Sequence, residues 1–268
     1  MNNTFGFIGA GNMGGALARC AAKALKSQDI LLADQCAEKA AALAAEIGCQ
    51  TADTAAVAKS CGYIFLGVKP QVMEHMLASI AKVLAQRTDS FVLVSMAAGV
   101  SIADIRRMAG GDYPVIRIMP KIPVSVGSGV ILYDATQNVS EESIGFFCEG
   151  MRHAGLLDRL PEKLIDAGSA LSGCGPAFAS LFIEALADGA VACGLPRDKA
   201  MAYAAQTLLG TARMLLEKEQ HPGQLKDAVC SPGGSTIAGV GAMEQGGFRA
   251  STMEAVVSAY QRTLELGK

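Results

Sequence analysis

Tryptophan is absent from this 268-residue chain, and aromatic residues make up only 5% of it. The apolar 51% must therefore build its core from Ala, Leu, Val, Ile and Met, which favours tightly packed helices. A basic excess is also lacking, since 23 Lys and Arg stand against 25 Asp and Glu for a formal net charge of -2. No positive field draws the chain to nucleic acid or an anionic membrane, and a small-molecule partner is expected. Eight cysteines (Cys20, Cys36, Cys49, Cys61, Cys148, Cys174, Cys193, Cys230) include no C-x-x-C pair and no histidine at ligand spacing. No metal centre is expected, and the thiols read as small buried hydrophobes in a reducing compartment. His75, His153 and His221 read as surface or helix-end residues. No apolar run reaches a membrane span, and no secretory leader precedes the first strand pattern, so a cytoplasmic, soluble protein is expected.

Against these absences stands a glycine-rich opening, Thr4-Phe5-Gly6-Phe7-Ile8-Gly9-Ala10-Gly11-Asn12-Met13-Gly14-Gly15. Gly9, Gly11 and Gly14 form G-x-G-x-x-G between a strand pattern and a helix pattern. The first glycine makes the tight turn, the second lets backbone approach a pyrophosphate, and the third permits close helix-on-strand packing. The phosphates then rest on the positive end of the helix. Asp34 lies twenty positions past Gly14, where an acid reaches the ribose of a bound dinucleotide. The expected cofactor contacts on this first unit are Gly9, Ala10, Gly11, Asn12, Met13, Gly14 and Asp34.

Strand and helix patterns then alternate. Ile30–Asp34, Tyr63–Val68, Phe91–Met96, Val115–Met119 and Gly129–Tyr133 read as strands, with helices at 37–47, 51–60, 72–84 and 102–108. This is the mark of an α/β fold, a Rossmann-type doubly wound parallel sheet, whose ligands bind at the carboxyl ends of the strands. Val68, Lys69 and Pro70, and Ala97, Ala98 and Gly99, fall at such ends and join the expected cofactor contacts. Composition changes near Pro161, after which helices alone are expected, the first from about Pro176 to Cys193. The chain thus divides into a dinucleotide-binding domain at 1–160 and a helical domain at 161–268. The latter carries more Leu, Ala and Met face than a monomer buries, which points to a homodimer through these helices.

The loop Ser231-Pro232-Gly233-Gly234-Ser235-Thr236 lies between two helix patterns. Its glycines hold the backbone open, and Ser235 and Thr236 open a helix whose free N–H groups suit a carboxylate or phosphate. Each hydrogen bond to a charged oxygen contributes about 1.5–3 kcal/mol, so two or three anchor a small acid without arginine. From spacing alone, an ordinary N-cap after a Pro-Gly turn is the other reading.

The whole sequence resembles the pyrroline-5-carboxylate reductase family. The resemblance rests on Phe7–Gly15, Val68-Lys69-Pro70-Gln71, Ala97-Ala98-Gly99-Val100, Ser172–Phe178 and His221-Pro222-Gly223, and above all on Leu225–Gly239. It implies a helical domain that interlocks two subunits, frequently a ring of dimers, and an active site between one subunit's nicotinamide and the Ser-Pro-Gly-Gly loop contributed across the dimer. The implied reaction transfers hydride from NADH or NADPH to the C=N bond of 1-pyrroline-5-carboxylate, giving L-proline in the last step of its biosynthesis. The resemblance also implies that Ser231, Gly233, Gly234, Ser235 and Thr236 hold the substrate carboxylate, and that the Thr236 hydroxyl serves the ring nitrogen as the catalytic group. Glu162 occupies a family position near the substrate, where a carboxylate favours a cationic imine; its other reading is a solvated residue beginning a linker helix.

Two positions stand apart from the family pattern. Lys121 in Met119-Pro120-Lys121-Ile122-Pro123 replaces a usual Asn, and its side chain is expected to point to solvent. Asp34 suits the ribose of NADH while many family members use NADPH, so both cofactors remain open. Two other activities share the glycine-rich opening: a reductase of another small imino or hydroxy acid, and a dinucleotide sensor that binds NADPH without turnover.

Overall fold

The computed structural model describes residues 2–266; Met1, Gly267 and Lys268, the outer ends of the two expected domains, lie outside the described residues. Strand β1 (Phe5–Ile8) feeds helix α1 (Asn12–Ala24), then β2 (Ile30–Ala33), α2 (Ala37–Ile47), β3 (Gln50–Thr51), α3 (Thr54–Ser60), β4 (Tyr63–Leu66) and α4 (Pro70–Ala85). There follow β5 (Val92–Ser95), α5 (Ile102–Ala109), β6 (Val115–Met119), β7 (Gly129–Ala135), α6 (Glu141–Met151) and β8 (Gly155–Arg159). The helices stop where the sequence provides a stop: α2 ends at Gly48 with φ 73°, and α5 at Gly110 with φ 76°. The short α3 opens on Asp53, whose carboxylate accepts the Ala56 N–H.

The strands lie in the order β3-β2-β1-β4-β5-β6-β7-β8. The chain moves outward from β1 to β3, then returns to the other side of β1 at β4, so the crevice between the ends of β1 and β4 is a topological switch point. Not all of these elements were legible: strands β3 and β8 and helix α6 have no counterpart in the sequence reading. The sheet is also not wholly parallel, because β7 runs antiparallel to β6. Only residues 120–128 join these two strands, enough for the 3-10 turn Ile122–Val126 but not for a crossover helix.

Side chains leave each strand alternately. Phe5, Phe7, Tyr63 and Phe65 face the layer of α1, α2 and α6, and Ile8, Ile64 and Leu66 face α3, α4 and α5. The second layer is aliphatic as composition predicts, with Met73, Leu77, Ile80 and Leu84 along α4. The first is not. The scarce aromatics gather there, with the Phe5 ring 5.0 Å from both Tyr63 and Phe65, and Phe7 stacked on Phe65 at 4.4 Å. Tyr63 donates its hydroxyl to the Ser143 carbonyl, and burial pushes its phenol up to about 12. The thiols are less uniform than expected: Cys20 and Cys61 are buried, but Cys193 is exposed.

The remaining chain forms α7 (Glu162–Ala192), α8 (Arg197–Lys218), α9 (Pro222–Val229), α10 (Ser235–Gln245) and α11 (Phe248–Leu266). Pro176 does not begin a helix as the sequence suggested; it sits inside the 31-residue α7. Lacking an N–H, it leaves the Ser172 carbonyl without its i+4 donor, and Gly173 and Gly175 flank the interruption. By length and composition α7 is also long and apolar enough to cross a membrane, with a mean hydropathy of 1.4 over its best window, contrary to the expectation that no segment reaches this length.

Two compact units result, one of residues up to Gly173 together with those from Tyr260 onward, the other Cys174–Ala259. Within the second, the fully buried cluster consists of Ala187, Ala200 and Ala204. Leu181 (68% exposed), Leu209 (60%), Leu216 (79%) and Met253 (66%) lie open. Large apolar side chains outside and alanines inside describe a surface made to be covered.

One close backbone approach in the first unit is between α1 and the turn after β1. A Cβ at Gly14 runs into the Gly9 carbonyl oxygen, and that oxygen is backbone. Gly14→Ala is expected to cost on the order of 2 kcal/mol in urea unfolding and to weaken dinucleotide binding, whereas Gly11→Ala, whose Cβ meets nothing within 4 Å, is expected to leave stability within about 0.5 kcal/mol of the parent.

Candidate active site

The turn after β1 is shaped by hydrogen bonds to its neighbours. Gly9, at φ 107°, donates its N–H to the Ala33 carbonyl at 2.7 Å, and Gly67 donates to the Ile8 carbonyl at 2.8 Å. The ends of β1, β2 and β4 are thereby tied together at the switch point. Helix α1 begins next, with Gly11 as its N-cap and no side chain capping it, so its first N–H groups remain directed to the crevice. A Cβ on Gly11 would stand in open space. An uncapped helix start beneath an open glycine position is a fitting cradle for a pyrophosphate.

The crevice has a volume of about 450 Å³, and Gly9, Gly11, Asp34, Val68 and Lys69 are among the residues that line it. Asn12, Met13 and Gly14 form the first turn of α1, with Gly14 buried beneath it. Pro70 is the first residue of α4. The Asp34 carboxylate is fixed at both oxygens: Oδ2 accepts the Ala10 N–H at 2.7 Å and Oδ1 accepts the Cys36 N–H at 2.8 Å. Sequence reasoning missed the opposite wall, where Val72, His75, Met76 and Ser79 project from α4 at helical spacing. His75 is thus a crevice residue and not merely a surface one. Its i, i+3, i+4, i+7 companions after Lys69-Pro70 were the available signal.

Ala97, Ala98 and Gly99 follow β5, with Ala97 buried and Gly99 at φ 72°. They do not line the Asp34 crevice. Gly99 instead borders a smaller cavity of about 180 Å³ with Ser101, Arg117 and Asp166. Ser101 caps α5, and its hydroxyl, hydrogen-bonded to Asp104 at 2.6 Å, holds that carboxyl below the usual range.

Glu162 opens α7 as an anchor. Its Oε1 accepts the Ile102 N–H at 2.8 Å and the Arg117 guanidinium at 3.0 Å, while its own N–H donates to Asp134 at 2.7 Å. Arg117 also reaches Asp166 at 3.3 Å; its side chain is only 6% exposed, and its Nε has no partner among the described residues. Lys121 does not point to solvent as expected. Its Nζ donates to Ser169 at 2.6 Å, and a Cβ at Gly173 would meet that same Nζ at 2.7 Å. The first turns of α7 are therefore tied to β6 and the turn after it by two cations that sequence spacing did not connect.

In the second unit, α9 is capped by His221, whose Nδ1 accepts the Gly223 N–H. The following turn places Gly233 at φ 67° and closes with the Gly234 N–H donating to the Ser231 carbonyl at 3.0 Å. Gly234 is the N-cap of α10 and brings no capping side chain. Ser235 and Thr236 therefore present first-turn N–H groups at an exposed helix start, while the Gly234 N–H is already committed. Among the described residues, no three His, Cys, Asp or Glu side chains gather as a metal site.

Comparison with known proteins agrees with this geometry. Residues 162–266 match the family model for pyrroline-5-carboxylate reductase dimerisation, and residues 4–99 match that for coenzyme F420-dependent NADP oxidoreductase. Pyrroline-5-carboxylate reductase 3 of Macaca fascicularis is 38% identical over 98% of this chain and 96% of its own. The solved pyrroline-5-carboxylate reductase of Coxiella burnetii superposes with a TM-score of 0.93 at 30% identity, both chains fully covered. That of Plasmodium falciparum, solved with NADP bound, gives 0.84 at 30% identity, again with both chains fully covered. The exposed apolar helices accordingly belong to a dimerisation domain, the chain is an NAD(P)H-dependent oxidoreductase, and it belongs to the pyrroline-5-carboxylate reductase family.

Proposed function

We infer that this protein reduces 1-pyrroline-5-carboxylate to L-proline with NADH or NADPH, the last step of proline biosynthesis. The observation that carries the reading is the pairing of a dinucleotide crevice with an uncapped helix start at Ser235 and Thr236, in a chain of this family. When bound, the reduced nicotinamide supplies hydride for the C=N carbon. The α1 N-terminus and Gly9–Gly14 hold the pyrophosphate, Asp34 faces the ribose, and Val68, Lys69 and Pro70 wall the crevice. Ala97, Ala98 and Gly99, which do not line that crevice, are proposed to meet the nicotinamide end of the cofactor.

The substrate carboxylate is proposed to sit on the N–H groups of Ser235 and Thr236. Ser231, Gly233 and Gly234 give the loop its open shape, since the Gly234 N–H is committed to Ser231. Two such donors contribute about 3–6 kcal/mol together, enough to orient a small acid without arginine. The Thr236 hydroxyl is the proposed catalytic group: it hydrogen-bonds the ring nitrogen and helps place the proton there, so that hydride reaches the carbon of a protonated C=N bond and the nitrogen keeps that proton in the amine. Glu162 contributes negative charge favouring a cationic imine from its anchored position beside Arg117 and Ile102. Because the loop belongs to the dimerisation domain, it is proposed to complete the partner subunit's crevice, so that holding the two reactants in line depends on the dimer. The division at 160–161 is retained as the functional boundary, supported by a dimerisation match that begins at residue 162. A ring of dimers and a cytoplasmic location complete the proposal; light scattering at masses of even multiples of the 27.6 kDa chain, above the dimer, tests the ring.

The deciding experiment follows NADH and NADPH oxidation with and without synthetic 1-pyrroline-5-carboxylate. Imine-dependent oxidation is expected; binding of both dinucleotides without any turnover would leave a sensor in its place. Thr236→Ala is expected to lower kcat by roughly 10- to 1000-fold with dinucleotide affinity within about twofold. Equal losses in both would remove Thr236 from its catalytic role. Glu162→Gln keeps an acceptor for Ile102 while removing the charge beside Arg117. It is expected to lower kcat and to reduce unfolding stability by about 1–3 kcal/mol; unchanged kcat in a destabilised variant would make Glu162 an anchor alone.

A further inference from the structure

We propose that Asp34 makes this chain select NADH over NADPH, an inference that rests on the dinucleotide reading of the crevice and goes beyond it. An acid after the second strand of such a sheet discriminates only if it stays where the ribose binds. Here it is held on two sides. The Ala10 N–H from the glycine-rich turn reaches Oδ2 at 2.7 Å, and the Cys36 N–H reaches Oδ1 at 2.8 Å. Both donors are backbone, so swinging the carboxylate away gives up two charge-assisted hydrogen bonds and leaves both N–H groups without this acceptor.

The remaining hydrogen-bonding capacity matches a diol. An ionised carboxylate has about four lone-pair sites. Two are taken by Ala10 and Cys36, which leaves one on each oxygen for the two ribose hydroxyls. A 2′-phosphate offers that carboxylate no donor and brings a charge of about -1.5 to -2 at neutral pH. At roughly 5 Å and an effective dielectric near 20, each unit of that charge disfavours it on the order of a hundredfold before solvent and salt screening, which reduce the net effect.

The surroundings do not compensate. No arginine lines the crevice, and the residues after Asp34 are Gln35, Cys36, Ala37 and Glu38, the last a second acid. A bidentate guanidinium fork, the group that best accepts a phosphate at this position, is missing from the crevice wall. Lys69 and His75 line the crevice from α4 and the residue that caps it, and Lys39 is exposed on α2. The Plasmodium relative was solved with NADP bound, so the preference is assigned to the residues of this chain and not to the fold.

The test measures dissociation constants of NADH and NADPH with the full-length protein by nicotinamide fluorescence, without substrate, and then kcat and KM for each with the imine saturating. NADH is expected to bind about 10- to 100-fold tighter, with the difference in Kd and KM and with kcat alike within about twofold, because the ribose phosphate is remote from the reacting carbon. Asp34→Asn keeps one acceptor oxygen and removes the charge, and is expected to bring the two dissociation constants within a few-fold by improving NADPH. Equal or tighter NADPH binding by the unaltered protein overturns the proposal even if the variant misfolds, as does an unchanged ratio in a folded Asp34→Asn protein. Selective NADH binding with no imine-dependent oxidation would overturn the reductase reading and leave this inference standing; oxidation of both cofactors with equal constants would do the reverse.

Discussion

The first unit is built around one separation, that between the end of β1 and the start of α1. There the Gly9 carbonyl and the Gly14 Cα approach so closely that no side chain fits between them, and Gly9 in turn lies against the backbone of Gly67 after β4. This contact brings a helix N-terminus to the carboxyl edge of the sheet, and the proposed phosphate cradle follows from that placement. The layers on either side protect it. Aromatic rings fill the α1 side and aliphatic chains the α4 side, so the sheet is covered on both faces, as parallel strands require.

Local spacing made this part of the fold legible. Gly9, Gly11, Gly14 and Asp34 are read in sequence because each obeys a backbone rule that acts over a few residues, and α2 and α5 end at glycines for the same reason. What escaped depends on distant or weak signals. β3 is two exposed residues, and β8, Gly155-Leu156-Leu157-Asp158-Arg159, is a partly exposed edge without a buried apolar run. The direction of β7 is set by the length of a connection and not by its own residues. The α4 wall was hidden because His75, Met76 and Ser79 are unlike in chemistry and share only a helix face.

The site shows the same division. The Ser231–Thr236 loop is legible through its turn residues, whereas the commitment of the Gly234 N–H to Ser231 is a matter of geometry alone. Arg117, Glu162, Asp166 and Lys121, Ser169 are pairs from separated stretches of chain, and nothing in either stretch announces the other. Their effect is nonetheless specific. They join the first turns of α7 to β6 and to the turn that follows it, beside the Gly99–Ser101 segment that borders the small cavity. A nearly buried guanidinium with two carboxylates at such a place is a fastening whose strength lies in its geometry.

The alanine cluster of the second unit carries a further consequence. Ala187, Ala200 and Ala204 offer little apolar area to offset the conformational entropy of ordering five helices, while the leucines and methionines that would do so face outward. Association through this domain therefore adds to its stability by mass action. For such a protein, stability rises with concentration, because dilution shifts the balance toward the single chain, whose leucines and methionines then meet water.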